Sequence, residues 1–138
     1  SWRGDTGDIT GALADFQHLL TDRTRILGPD HPDTLTTRHN ISYWRGHIGD
    51  TTGALADLRQ LLTDRRRVLG PDHPDTLRTH GDIAFWHSET GDTTAALADF
   101  QQLLTDHTRV LGPDHPDTHN TRSWIDFLKD QIQFPEQR

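Results

Sequence analysis

The sequence predicts an all-α solenoid of antiparallel helix pairs, and three observations carry that prediction. The octapeptide Leu-Gly-Pro-Asp-His-Pro-Asp-Thr occurs at residues 27–34, 69–76 and 111–118, a period of 42. Between its copies, apolar residues recur at three- and four-residue steps, which places them on one stripe of a helix. No segment alternates with period two, and paired β-branched runs and hairpin dipeptides are missing, so a propeller blade of similar period is excluded. Residues 51–76 and 93–118 agree at 21 of 26 positions. Such fidelity reads as recent duplication or as deliberate idealisation of one unit.

Seven helical segments follow in order. A stub at 1–6 carries Trp2, the first of three tryptophans that keep the 42-residue period with Trp44 and Trp86. The longer segments are expected near 8–27, 50–69 and 92–111. In the middle one, Ala54, Leu55, Leu58, Leu61, Leu62, Val68 and Leu69 form the buried stripe. Gly70 sits where a left-handed cap is wanted, and Pro71 beyond it prevents continuation. The shorter segments are expected near 33–48, 75–90 and 117–133. There an N-cap at Asp72 or His73 leaves Pro74 in the first turn, where its missing N–H costs nothing, and Asp75 complements the helix dipole. Leu77, Ile83 and Trp86 mark the buried face, and Gly91-Asp92 closes one segment and opens the next. Asp and Thr are weak helix formers, so packing must hold these helices.

Composition narrows the function. The chain has 138 residues, 31% of them hydrophobic, a low fraction even with the 11 glycines counted. No run approaches the ~18 apolar residues needed to cross a bilayer. The absence of cysteine removes disulfides, thiol nucleophiles and thiolate metal sites. A net charge of −7 argues against nucleic-acid and anionic-membrane surfaces. Secretory and lipidation signals are missing, a cytoplasmic setting is expected, and Ser1 in place of Met suggests a trimmed or excised chain.

The second helix opens on Gly-Asp-Thr-Thr-x-Ala-Leu-Ala-Asp at residues 49–57 and 91–99, with Ile9 in place of the first Thr at 7–15, and with two antiparallel helices per unit the chain resembles the tetratricopeptide repeat. It is most similar to the 42-residue variant of kinesin light chains and of bacterial arrays. The family's small residue is matched by Ala12, Ala54 and Ala96, the large one by Phe16, Leu58 and Phe100, and the first-helix Leu by Ile41, Ile83 and Ile125. Departures are visible where the family favours Tyr, at Arg45, His87 and Lys129. The paired Asn of kinesin light chain repeats becomes His39-Asn40, Gly81-Asp82 and Ser123-Trp124. The resemblance implies a right-handed tetratricopeptide-like solenoid, residues 1–138, with units near 1–32, 33–74 and 75–116 and a single capping helix at 117–133. It also implies a concave groove lined by the first helix of each repeat, and a non-catalytic scaffold that binds a protein or peptide.

Within that frame Tyr43, Phe85 and Phe127, in register at 42-residue spacing, are candidate hydrophobic anchors. His39, Asn40, Arg78 and Asp82 would flank them as polar contacts. Trp44, Trp86, Ile41, Ile83, Ala54 and Ala96 are assigned to the core. His31, His73 and His115 repeat in identical loops that a solenoid keeps about 8–10 Å apart, so they are read as capping residues and not as metal ligands. The pair His115 and His119 lacks a third ligand. Asp30/Asp33 and Asp72/Asp75 sit in exposed turns, and Arg65-Arg66-Arg67 reads as a solvated face. No cofactor, metal or catalytic residue is expected. Two alternatives stand beside the scaffold: a homo-oligomer completed through the unpartnered terminal helices, with Trp124 and Phe134 adding apolar surface, and an idealised repeat without a partner.

Overall fold

The computed structural model describes residues 6–134, with side chains from residue 8. The chain forms α1 (Thr6–Leu27), α2 (Pro32–His47), α3 (Thr51–Leu69), α4 (Pro74–Glu89), α5 (Thr93–Leu111) and α6 (Pro116–Gln133). Among the described residues there is no strand. Each boundary lies within two residues of its expected position. Of the expected stub only Thr6 is described, and it already belongs to α1; Trp2 lies outside the described residues.

The repeated octapeptide is a self-contained helix start. Gly28, Gly70 and Gly112 take φ of +94°, +96° and +94°, a left-handed geometry that ends the preceding helix and that side chains resist. The carbonyl of each glycine then accepts a 2.8 Å bond from a buried threonine hydroxyl six residues on: Thr34, Thr76 and Thr118. Between them, His31, His73 and His115 are the N-caps. Each Nδ1 accepts the backbone N–H of Asp33, Asp75 or Asp117 at 3.1 Å, with proline in the first turn. Of the two capping candidates at this linker, His73 and not Asp72 does the work, which satisfies one of the orphan donors of the new helix. Asp92 caps α5 in the ordinary way, accepting from Ala95 N–H at 3.2 Å.

The chain divides into two compact units, residues Ser1–Val68 and Leu69–Arg138. In the first, α1 packs on α2. Arg45 near the end of α2 pairs with Asp57 near the start of α3, and Arg38 pairs with Asp64 at 2.7 Å, which sets these helices antiparallel. Leu35, Ile41, Ala54, Leu58 and Leu61 are buried there. In the second unit α5 packs on both α4 and α6. Its core joins Leu77, Ala84, Ala96, Phe100, Leu103 and Ile125. Ala84 and Ala96 are wholly buried, and side chains this small let α4 and α5 approach closely.

The expected core residues are inside, with one difference of degree. Ile41, Ile83, Ala54, Ala96 and Trp86 are buried, whereas Trp44 is half-buried. Identical position in the repeat therefore does not give the two indoles identical surroundings.

Candidate functional site: a groove between α4 and α6

A groove of about 720 Å³ runs between α4 and α6 of the second unit, with α5 as its floor. Its α4 wall carries Arg78, Gly81, Asp82 and Phe85, which recur at three- and four-residue steps and so share one helix face. Phe100, Leu103 and His107 of α5 form the floor. Asp117, Asn120, Thr121 and Trp124 line the α6 wall at the same helical spacing.

Aromatic contacts shape this space. The Trp124 indole stacks on Phe100, centroids 5.2 Å apart and planes 9° from parallel. It meets Phe85 edge-on at 6.1 Å and Phe127 edge-on at 5.9 Å. Trp124 thus stands between the groove and a smaller hollow of about 250 Å³, lined by Phe127, Ser88 and Gln131 among others.

Two histidines and a carboxylate fix the α4–α5 joint. His87 Nδ1 lies 2.7 Å from Asp99 Oδ2, and His80 Nε2 lies 3.6 Å from Asp99 Oδ1. Burial works to raise the Asp99 carboxyl, but the two imidazoles outweigh it and hold the group below its ordinary range. At the α5–α6 joint, His107 Nδ1 is 3.0 Å from Thr121 Oγ1. That hydroxyl already donates to Asp117 O at 3.1 Å, so the shared proton in the contact belongs to Nδ1 of His107. Burial disfavours the imidazolium and pushes His107 below the ordinary imidazole value of 6.5.

The structure separates the residues singled out from sequence. Arg78, Asp82 and Phe85 come together on the α4 wall, and Phe127 lies in the neighbouring hollow. Tyr43 is exposed on α2, its ring 5.0 Å from Trp44 and 4.3 Å from His47. His39 and Asn40 are half-buried on the same helix. A hollow of about 180 Å³ in the first unit is lined by Arg38, Ile41, Arg45 and Asp57 and excludes all three.

Sequence reasoning missed Gly81, Asn120 and Trp124 as lining residues. The signal was present as departures from the repeat. Gly81 stands where the other copies have His39 and Ser123, and Trp124 stands where they have Asn40 and Asp82. A glycine on one wall leaves space, and an indole on the other gives it an aromatic side.

Two of the linker carboxylates are engaged by arginines. Hydrogen bonds from Arg109 and Arg67 hold Asp72 and Asp30 below the usual carboxylate range. Among the described residues no group of three potential ligands could hold a metal ion, and no helix is long and apolar enough to cross a membrane.

Paired helices on a 42-residue period, joined by one repeated linker, define an all-α repeat protein of the kind that serves in general as a protein-interaction scaffold. This chain belongs to the tetratricopeptide repeat family, whose model matches residues 2–65 and again 45–106. No curated protein matches it. Among solved structures, a Podosopora anserina protein described as kinesin light chain nearly identical TPR-like repeats is similar with a TM-score of 0.78 and 18% identity. The match covers 92% of this chain and 62% of that one. A single-substitution form of the same protein gives a TM-score of 0.78 and 18% identity over 92% and 61%. The chain therefore spans under two thirds of those structures, and the likeness is one of tetratricopeptide-like solenoid fold.

Proposed function

We propose that this protein is a non-catalytic scaffold that binds a peptide segment of a partner protein, and that the α4–α6 groove is where the segment docks. The observation that carries the reading is the convergence of Arg78, Asp82 and Phe85 on one wall, facing Trp124 on the other. An apolar cleft of several hundred Å³ with a few polar groups at its rim suits a side chain anchored by aromatic contact. Phe85 and Trp124 are the anchors in this reading, and Arg78 and Asp82 orient the segment. Phe127 joins them only if the segment reaches past Trp124, and Tyr43, His39 and Asn40, on α2 of the first unit, are candidate contacts of that unit in their own right.

The test is selection of a displayed library of random octapeptides on the purified protein, followed by retesting against two blocked variants. Gly81→Leu fills the groove from α4. The ideal Cβ at Gly81 lies 3.5 Å from Leu103 Cδ2, an ordinary contact, so a side chain can begin there without a clash at its first atom. Asn120→Trp fills the groove from α6, at an exposed position. Binding weakened at least tenfold by both variants supports the reading, and affinities untouched by either overturn it.

Self-association is a second reading, favoured by apolar side chains left in solvent on the first described helix and at the C-terminal end of the last. Ile26 is 65% exposed, and Ile132 and Phe134 are 48% and 40% exposed. Light scattering across a concentration range tests it, and a constant monomer mass at high concentration removes it.

A further inference from the structure

We infer that the α4–α6 groove is an acid-release site: it holds an apolar segment at neutral pH and lets it go in mild acid, with His107 of its floor as the group that takes the proton. This inference rests on the groove being the docking site and adds how that site is regulated. Phe100, Leu103 and His107 recur at three- and four-residue steps on α5, so the imidazole continues the apolar floor. It is buried, and its Nδ1 is committed to Thr121 Oγ1 at 3.0 Å. A second proton must therefore add at Nε2 and put a charge on the floor.

An imidazole here is a departure from the repeat, which has Arg23 and Arg65 at the same position. On α1, Arg23 Nη1 donates to Thr37 Oγ1 at 2.8 Å, and Thr37 is the counterpart of Thr121. A guanidinium keeps its charge at every pH a protein meets, whereas histidine is the side chain whose charge changes near neutrality. Burial is the main influence on His107 and disfavours its cation. Asp117 on α6 and Asp106 on α5 favour the cation, His115 before α6 and His80 on α4 oppose it, and the balance falls to the neutral ring. The other charged side chains of the groove, Asp72, Asp75, Arg78 and Asp82, line it from α4 and the linker before it.

An apolar segment laid over Phe100, Leu103 and His107 takes further water from the imidazole and disfavours its charged form further. Binding and protonation are then linked. A segment that prefers the neutral ring lowers the ring's proton affinity, and the proton lowers affinity for the segment by the same factor. Affinity is therefore level above the ordinary imidazole value of 6.5 and falls below it as His107 takes up its proton. One proton sets the steepest slope at about tenfold per pH unit.

The experiment uses octapeptides selected at pH 7.5 whose binding both Gly81→Leu and Asn120→Trp weaken, capped at both ends and free of His, Asp and Glu. Affinities are read from pH 8 to 5, with far-UV circular dichroism to show that the helices stay formed. Binding is expected to weaken roughly fivefold or more between pH 7.5 and 5. In His107→Gln the profile should be flat, whatever the affinity at pH 7.5. His115→Asn keeps a capping oxygen and should retain the loss. Imidazole NMR of the intact protein is an independent readout: the His107 titration midpoint should move lower when peptide is bound. A pH-independent affinity, a loss that survives in His107→Gln or vanishes in His115→Asn, or a midpoint that peptide leaves in place overturns acid release and leaves the groove standing. If no selected peptide depends on the groove, the docking site and acid release fall together.

Discussion

Arg109 holds Asp72 through two parallel bonds, both 2.8 Å, across 37 positions of sequence. Arg67 holds Asp30 across the same 37 positions at 2.9 and 2.8 Å. In each case a guanidinium at the end of a long helix grips the linker that precedes the short helix before it. The contact lowers the aspartate pKa through the hydrogen bond first and the charge second, and raises that of the arginine. All four side chains are about half exposed, so salt should reach them. A double-mutant cycle of Arg109→Ala with Asp72→Ala, read from urea midpoints, is expected to show favourable coupling at low salt and none at 1 M, where the Debye length is about 3 Å. Coupling that persists in high salt would contradict this account.

The histidine caps give a second expectation. His73→Ala removes the acceptor for the Asp75 N–H and should cost about 1 kcal/mol of stability. His73→Asn supplies another capping oxygen and should recover most of that loss. Denaturant melts of the two variants distinguish a cap from a residue that only fills the loop, for which both would behave alike.

The two periodic indoles should separate in the same measurement. Trp86 is 8% exposed, and Trp86→Ala is expected to cost roughly 3–5 kcal/mol through lost burial and the cavity left behind. Trp44 is half-buried, so Trp44→Ala should cost distinctly less. Equal losses would mean that repeat position, and not burial, sets the contribution.

Stability should fall with acid in two windows. His107 has a folded pKa below the ordinary 6.5 because burial disfavours its cation, so in that window the unfolded chain binds more protons. Its contribution is complete above 6.5 and is lost as pH drops from there toward the depressed folded value. Asp99 is also depressed, because the His80 and His87 contacts outweigh burial, so its contribution is complete above the ordinary 3.8 and is lost as pH falls through its folded value. Thermal melts from pH 8 to 3 should show both declines, and His107→Gln should flatten the upper one only.

Gly81→Ala tests stability against function at one position. Gly81 lies inside α4 with ordinary helical backbone, and a methyl group there meets only Leu103 at contact distance. The substitution should raise stability by roughly 0.5–1 kcal/mol through the lower entropy of the unfolded chain. It should also narrow the groove and weaken groove-dependent peptides. A gain in stability with unchanged binding would show that the space beside Gly81 is not used.

Much of this protein was legible before any coordinates. The Leu-Gly-Pro-Asp-His-Pro-Asp-Thr linker carries its own geometry, because its positive-φ glycine, first-turn proline, capping histidine and anchoring threonine interact within eight residues. Helix boundaries, the all-α class and the buried faces of Ile41, Ile83, Ala54 and Ala96 follow from such local chemistry and from periodicity. The groove was only half legible. Arg78, Asp82 and Phe85 share a helix face and so could be grouped by spacing. Tyr43 and Phe127 share their register with Phe85 but not its surroundings.

The amino-acid order by itself settled where helices begin, end and bury a face, since those choices depend on neighbours a few residues apart. Tertiary structure alone decided that Trp124 faces Phe85 over Phe100, that the absent side chain at Gly81 leaves usable space, and that Arg109 neutralises Asp72. Each of those outcomes depends on residues from different helices meeting in space. A 42-residue repeat makes such positions look equivalent in sequence, while the departures from it make their surroundings differ.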